Sequence, residues 1–301
     1  MALTINGERI DDGVIDGEFS RVKSFYEGMG RVSCCERDDE FKGAAKQNII
    51  GRVLLMQEAE RRGQEPEESA VQATFDRLVE EHGAKEHVLL SAGFSLKQED
   101  LFLEDLRANL RLEQMLEDMC SDLPEPDDDA VRAFYEQNID LFLTAEEVEA
   151  SHIFKNPQPV ENKHEIFAAL REVRKRARAG EDFQKLVEEC SDKPVEESDL
   201  GFFKRGEIME EFETIAFSME VGEISPIFIT QWGFHLAKLT GRKEQAPIPF
   251  EEVKDKAREL LVAEARKKRV DRVVEELRAA ATVEDDDPEP VPDDLTEAHA
   301  H

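Results

Sequence analysis

Apolar and polar residues alternate through "VEASHIFK", Val148–Lys155, and a period of two marks a strand. Ala150, His152 and Phe154 share one face; Ser151 and Ile153 share the other. Before this point the chain reads as helix. "LTINGERI", residues 3–10, predicts a short strand with an Asn-Gly turn, and Asp11 or Asp12 caps a helix through Ile15, Phe19 and Val22. Phe41, Ala45, Ile49 and Val53 recur every fourth residue up to Gly63. "EPEES" opens a helix carrying Val71, Phe75 and Leu78. Leu103, Leu106, Leu110 and Leu116 stripe another, with Ser95 and Gln98 spaced as a capping box. "SDLPEPDDD" breaks that helix, and "AVRAFYEQNIDLF" is a short successor.

After the strand at 148–155, Ile166, Leu170, Val173 and Ala177 predict a helix stopped by Gly180. "EDFQKLVEEC" and "IMEEFETIAFSM" read as helices; "DLGFF", "EISPIFIT" and "GFHLAKLTG" read as strands. The order is β-α-α-β-α-β-β, an α+β domain. Pro249 starts a long amphipathic helix with Val253, Ala257, Leu260, Leu261, Val270, Val273 and Leu277. Such a stripe needs a partner, and the first-half helices supply one. The expected organisation is a helical domain over 1–145, the α+β domain at 146–243 inserted into it, a returning helix at 249–282 and a disordered acidic tail at 283–301.

Charge changes the picture of partners. Seventy acidic against 39 basic residues leave a net charge of −31, which repels phosphate backbones and makes nucleic acid an unexpected partner. No run of 18 apolar residues spans a membrane, and "MALTINGERIDDG" has neither a basic nor an apolar leader segment. Cys34, Cys35, Cys120 and Cys190 show no C-x-x-C spacing, which fits free thiols in a reducing cytoplasm, the expected compartment. The histidines form no metal-binding spacing, so no metal and no cofactor are expected.

The candidate chemistry starts from two histidines. His152 alternates into an otherwise apolar strand, and in "GFHLAKL" His235 shares a face with Ala237 and Leu239. One such residue is an ordinary core or edge histidine with a single hydrogen bond. Two in one small domain need partners, and each other is the economical choice.

"ASHIFK", "CSDKP", "DLGFFKRGEIMEEFETIAFSMEVGEIS" and "TQWGFHLAKL", in that order, resemble the parvulin family of peptidyl-prolyl isomerases over about 148–242. The helical halves resemble the chaperone domains of SurA- and PrsA-type foldases more weakly. The resemblance implies a four-stranded antiparallel sheet with surrounding helices, inserted in an all-α chaperone-like domain. It implies prolyl isomerisation of unfolded or nascent polypeptides. His152, His235, Thr230 and Asp192 fall at the catalytic positions, and Leu200, Phe203, Ile208, Met209, Phe212 and Trp232 at the substrate-binding ones. The histidines are then a hydrogen-bonded pair shaping the pocket, with Thr230 holding one tautomer. Ile208 stands where the family has Met. Lys193 stands where Cys or Asp usually follows Ser-Asp; a cation there disfavours imidazolium, and Asp192 is the compensating charge. "KNPQPVENK" lacks the arginine pair of phospho-directed members, so no phosphate requirement is expected. Two alternatives stand beside this reading: a non-catalytic chaperone, and a dedicated maturation factor of the NifM type, whose junction "CSDLPEP" resembles locally.

Overall fold

The computed structural model describes residues 3–28, 37–63, 65–157 and 163–288, in two compact units. One comprises 1–127 with 258–301, the other 128–257. Cys34 and Cys35 lie outside the described residues, as does the tail from 289. Among the described residues, no helix is long and apolar enough to cross a membrane.

In the first unit, β1 (Leu3–Ile5) and β2 (Glu8–Ile10) form a hairpin. Its turn residues are Asn6 (φ 50°) and Gly7 (φ 86°), the left-handed pair that a tight hairpin requires. The helices are α1 (Asp12–Gly28), α2 (Asp38–Arg62), α3 (Glu68–His82), α4 (Lys85–Ser91) and α5 (Glu99–Cys120). Ser95 and Gln98 do bond each other, but in the turn before α5, which begins at Glu99. The helix α10 (Phe250–Ala280) adds Val270, Val273, Val274 and Leu277 to a cluster with Leu55, Ala59 and Met115.

The acidic tail needs a correction. Val283–Asp285 is a strand, β7, antiparallel to β1 with Ile5 opposite Val283. Val283 packs on the Leu3, Ile5 and Ile50 cluster, and Asp285 pairs with Lys46 at 3.0 Å. Lys46 is 2% exposed, and a buried ammonium requires such a partner.

In the second unit, β3 (Glu147–Lys155), β4 (Asp199–Phe203), β5 (Phe228–Thr230) and β6 (Gly233–Lys243) form an antiparallel sheet in the order β4-β3-β6-β5. The helices α7 (Lys163–Arg178) and α8 (Phe183–Cys190) cover one face, packing Leu170, Val173, Phe183 and Leu186 on Ile153, Phe234 and Leu236. On the other face, α9 (Glu210–Ser218) packs Phe212, Ala216 and Phe217 on Val148, Ala150, Ala237 and Leu239. The alternation of β3 and β6 is what sends the histidines to the α9 side and Ile153 and Leu236 to the other.

Residues 128–143 belong to this unit, not to the helical one. Here α6 (Asp128–Gln137) and a 3-10 turn at Ile139–Phe142 carry Tyr135, whose ring meets Phe142 and Phe250. The Tyr135 hydroxyl donates to the Ile248 carbonyl at 2.7 Å. Tyr135 thus binds the two ends of the unit together, a long-range contact that local helical periodicity does not reveal.

Candidate active site

His152 on β3 and His235 on β6 lie on adjacent strands, with His152 opposite Ala237 and His235 opposite Phe154. Gly233 makes this approach possible. A side chain there would collide with the Lys155 carbonyl and the Phe154 ring, so only glycine lets β6 enter against β3. The imidazole centroids are 5.2 Å apart at 55°. Both rings are buried, at 5% and 2% exposure.

The expected hydrogen bond between the histidines is not formed. His235 Nε2 lies 2.9 Å from Thr230 Oγ1, which also accepts the Trp232 N–H at 3.2 Å. Both nitrogens of His152, and Nδ1 of His235, have no hydrogen-bond partner among the described residues. Burial, the neighbouring His235 and the Lys193 ammonium together push His152 down to about 4. Burial and Lys193 likewise push His235 to about 4, against a weaker opposing pull from Glu211. At neutral pH both rings are uncharged and lie among aromatic side chains.

Those side chains are close-set. Phe212 lies 5.5 Å from His152 and 5.7 Å from His235. Phe228 stacks on His235 at 5.3 Å and 17°, and Phe154 approaches it at 5.3 Å. In front of the rings is a cavity of about 620 Å³ lined by His152, Phe154, Asn156, Leu200, Met209 and Trp232 among others. Ile208, Phe212, Lys193 and His235 complete the lining. Trp232 is 64% exposed and forms its rim.

Two expected residues stand elsewhere. The Asp192 carboxylate accepts from Lys155 Nζ at 2.6 Å and from the Asn156 N–H at 2.9 Å, so it clamps the loop and does not reach the histidines. Phe203 does not line the cavity; it is buried behind Phe212 at 6.2 Å. Phe203 sits opposite Val148, four residues along β3 from His152, and a bulge brings Leu200 nearer the histidines. Ser151 pairs with Asp199 while Glu149 pairs with Phe202, so β4 carries one extra residue around Gly201 (φ 61°). That offset lets Leu200 line the cavity.

Four contributors escaped sequence reasoning. Phe154 and Asn156 follow His152 at the strand period, a signal that was present. Phe228 sits two residues before Thr230, on the strand that faces His235. Glu213, buried on α9, accepts the N–H groups of Gly206 and Ile208 at 2.8 and 3.0 Å. Burial opposes its charge, but those backbone bonds prevail and hold its carboxyl below the ordinary range. Glu213 thereby fixes the loop that presents Ile208 and Met209.

Residues 126–255 match the family model of the PPIC-type peptidyl-prolyl isomerase domain. These residues are a PPIC-type, parvulin domain. Among curated proteins, the chain is similar to a foldase protein PrsA of Halalkalibacterium halodurans, 34% identical over 172 residues, covering 56% of this chain and 46% of that one. It is also similar to a foldase protein PrsA of Caldanaerobacter subterraneus, 26% identical over 94% of this chain and 86% of that protein. The chain thus spans about half the length of the first relative and most of the second. Among solved structures, a SurA-like chaperone of Campylobacter jejuni aligns with 94% of this chain and 98% of its own at 16% identity, with a TM-score of 0.44.

Proposed function

We propose that this chain is a peptidyl-prolyl isomerase and foldase whose cavity grips the proline ring of unphosphorylated client polypeptides and whose first unit holds those clients. A planar X-Pro amide is separated from its twisted form by roughly 18–20 kcal/mol of lost resonance. Twisting also removes the charge separation of the amide. Leu200, Ile208, Met209 and Phe212 offer an apolar bed to the ring. Burying its three methylenes contributes about 2–3 kcal/mol. A dry bed disfavours the polar planar amide relative to the twisted one, and the neutral histidines offer fixed dipoles in place of water. This path needs no nucleophile. The observation that carries the reading is the apolar cavity seated on two buried, uncharged histidines. A proline-limited refolding assay of the wild type beside His152→Ala tests it.

The holding role is supported by the similarity to PrsA foldases and by exposed Leu90, Leu96 and Leu101 around α4 and the start of α5. Their replacement by Ser in the full chain should weaken aggregation suppression while leaving isomerisation intact. Phosphate independence is supported by the wall itself, where Lys193 is the one charged lining residue among the described residues. A phosphate site ordinarily gathers several donors. The proposed compartment is the cytoplasm, supported by the free thiols of Cys120 and Cys190. Cell fractionation tests it. A decayed, non-catalytic site is not favoured, because the histidines, Thr230 and the apolar floor converge on one cavity.

A further inference from the structure

We propose that Lys193 makes the cavity selective for an acidic residue immediately before the proline. This rests on the isomerase reading and names a substrate class for it. Among the described lining residues Lys193 alone carries a charge. Its Nζ lies 5.7 Å from the Phe154 ring centroid. Phe154 in turn packs on His235, and His235 on Phe212. A chain of ring contacts through Phe154 and His235 thus links the cation to the Phe212 floor. A client whose proline ring rests on that floor presents its preceding residue toward the polar part of the wall, where His152, Asn156 and Lys193 stand.

The electrostatics of the loop leave Lys193 available. Lys155 is held by Asp192 at 2.6 Å. Among the described residues, Lys193 forms an ion pair with Glu197 alone, four residues on, at 3.4 Å, and both side chains are substantially exposed at 41% and 60%. Such a pair is weak and readily exchanged for a client carboxylate. Lys193 also acts across the cavity, since its charge depresses both histidines. The chain as a whole is strongly acidic, so a preference for acidic clients cannot come from its net charge and must be local.

The test is a set of Xaa-Pro peptides with Xaa as Glu, Ala, Lys or phosphoserine, followed by NMR exchange between isomers. The wild type should favour Glu-Pro over Lys-Pro by about tenfold in kcat/KM, since a half-exposed charge attracts one and repels the other. That ratio should fall to about one in Lys193→Ala, invert in Lys193→Glu, widen in Glu197→Gln and shrink as salt is raised. Thermal midpoints check that each variant is folded. An unchanged Glu-to-Lys ratio in Lys193→Ala overturns the proposal. So does phosphoserine-proline outrunning Glu-Pro by tenfold, which would assign the preference to phosphate. If no peptide, Ala-Pro included, is accelerated, the isomerase reading fails instead. The Glu-to-Lys ratio of dissociation constants from the same spectra then decides the Lys193 claim in the same way.

Discussion

The rings of His152 and His235 stand 5.2 Å apart on neighbouring strands, and no hydrogen bond joins them. They share a cavity wall instead of a proton. Each is kept neutral chiefly by burial, and this shared feature gives the site its dependence on pH.

A buried neutral histidine ties stability to pH. Both groups ordinarily titrate at 6.5 and are lowered to about 4 in the folded protein. Between those values the unfolded chain binds more protons, so acid favours unfolding. Their neutral forms are fully accommodated above pH 6.5, and stability falls as pH drops from there toward 4. The loss is roughly 3 kcal/mol for one histidine across the window, at 1.36 kcal/mol per pH unit. Urea unfolding at pH 7 and pH 5 should show this slope in the wild type. A His152→Asn/His235→Asn double variant should flatten it. Isomerase activity should be level from pH 8 to about 5.5, because the rings stay uncharged there.

Thr230 orients His235 through one 2.9 Å bond. Thr230→Val keeps the shape and leaves Nε2 buried without a partner, at about 1–3 kcal/mol. Chemical denaturation should register that loss, and kcat/KM should fall about tenfold. Thr230→Ser, which restores the hydroxyl, should recover most of both.

In the other unit, Lys46 is buried against Asp285 of the returning strand β7. Asp285→Ala takes the carboxylate from the buried ammonium, which keeps the Asp287 carbonyl, and should cost about 3 kcal/mol, while Lys46→Met/Asp285→Ala should cost much less. Thermal unfolding of the three proteins measures the difference. Cleavage of the chain before Val283 should resemble Asp285→Ala.

Much of the site was legible because strands repeat every second residue. The alternation in "VEASHIFK" and "GFHLAKL" correctly sorted His152 and His235 from Ile153 and Leu236. What was not legible depends on distant partners. The strand Val283–Asp285 is short and acidic; it exists because β1 and Lys46 wait for it. The short helix α4 carries no side-chain cap to announce it. Phe203 was assigned to the pocket on the resemblance, and its place behind Phe212 depends on how α9 packs on the sheet. Asp192 was assigned to the histidines because Lys155 and the Asn156 N–H, which take its carboxylate, compete only in three dimensions.

The central claim is that the cavity before His152 and His235 turns over X-Pro bonds. NMR exchange spectroscopy on an Ala-Pro peptide measures this most directly, with wild type beside Leu200→Ala/Met209→Ala. Both side chains line the cavity and are only partly buried, so the double variant should remain folded. The account predicts catalysed cis-trans exchange by the wild type and at least a tenfold loss of kcat/KM in the variant. Folded wild type that leaves the exchange at its spontaneous rate, or a variant as fast as the wild type, would contradict it.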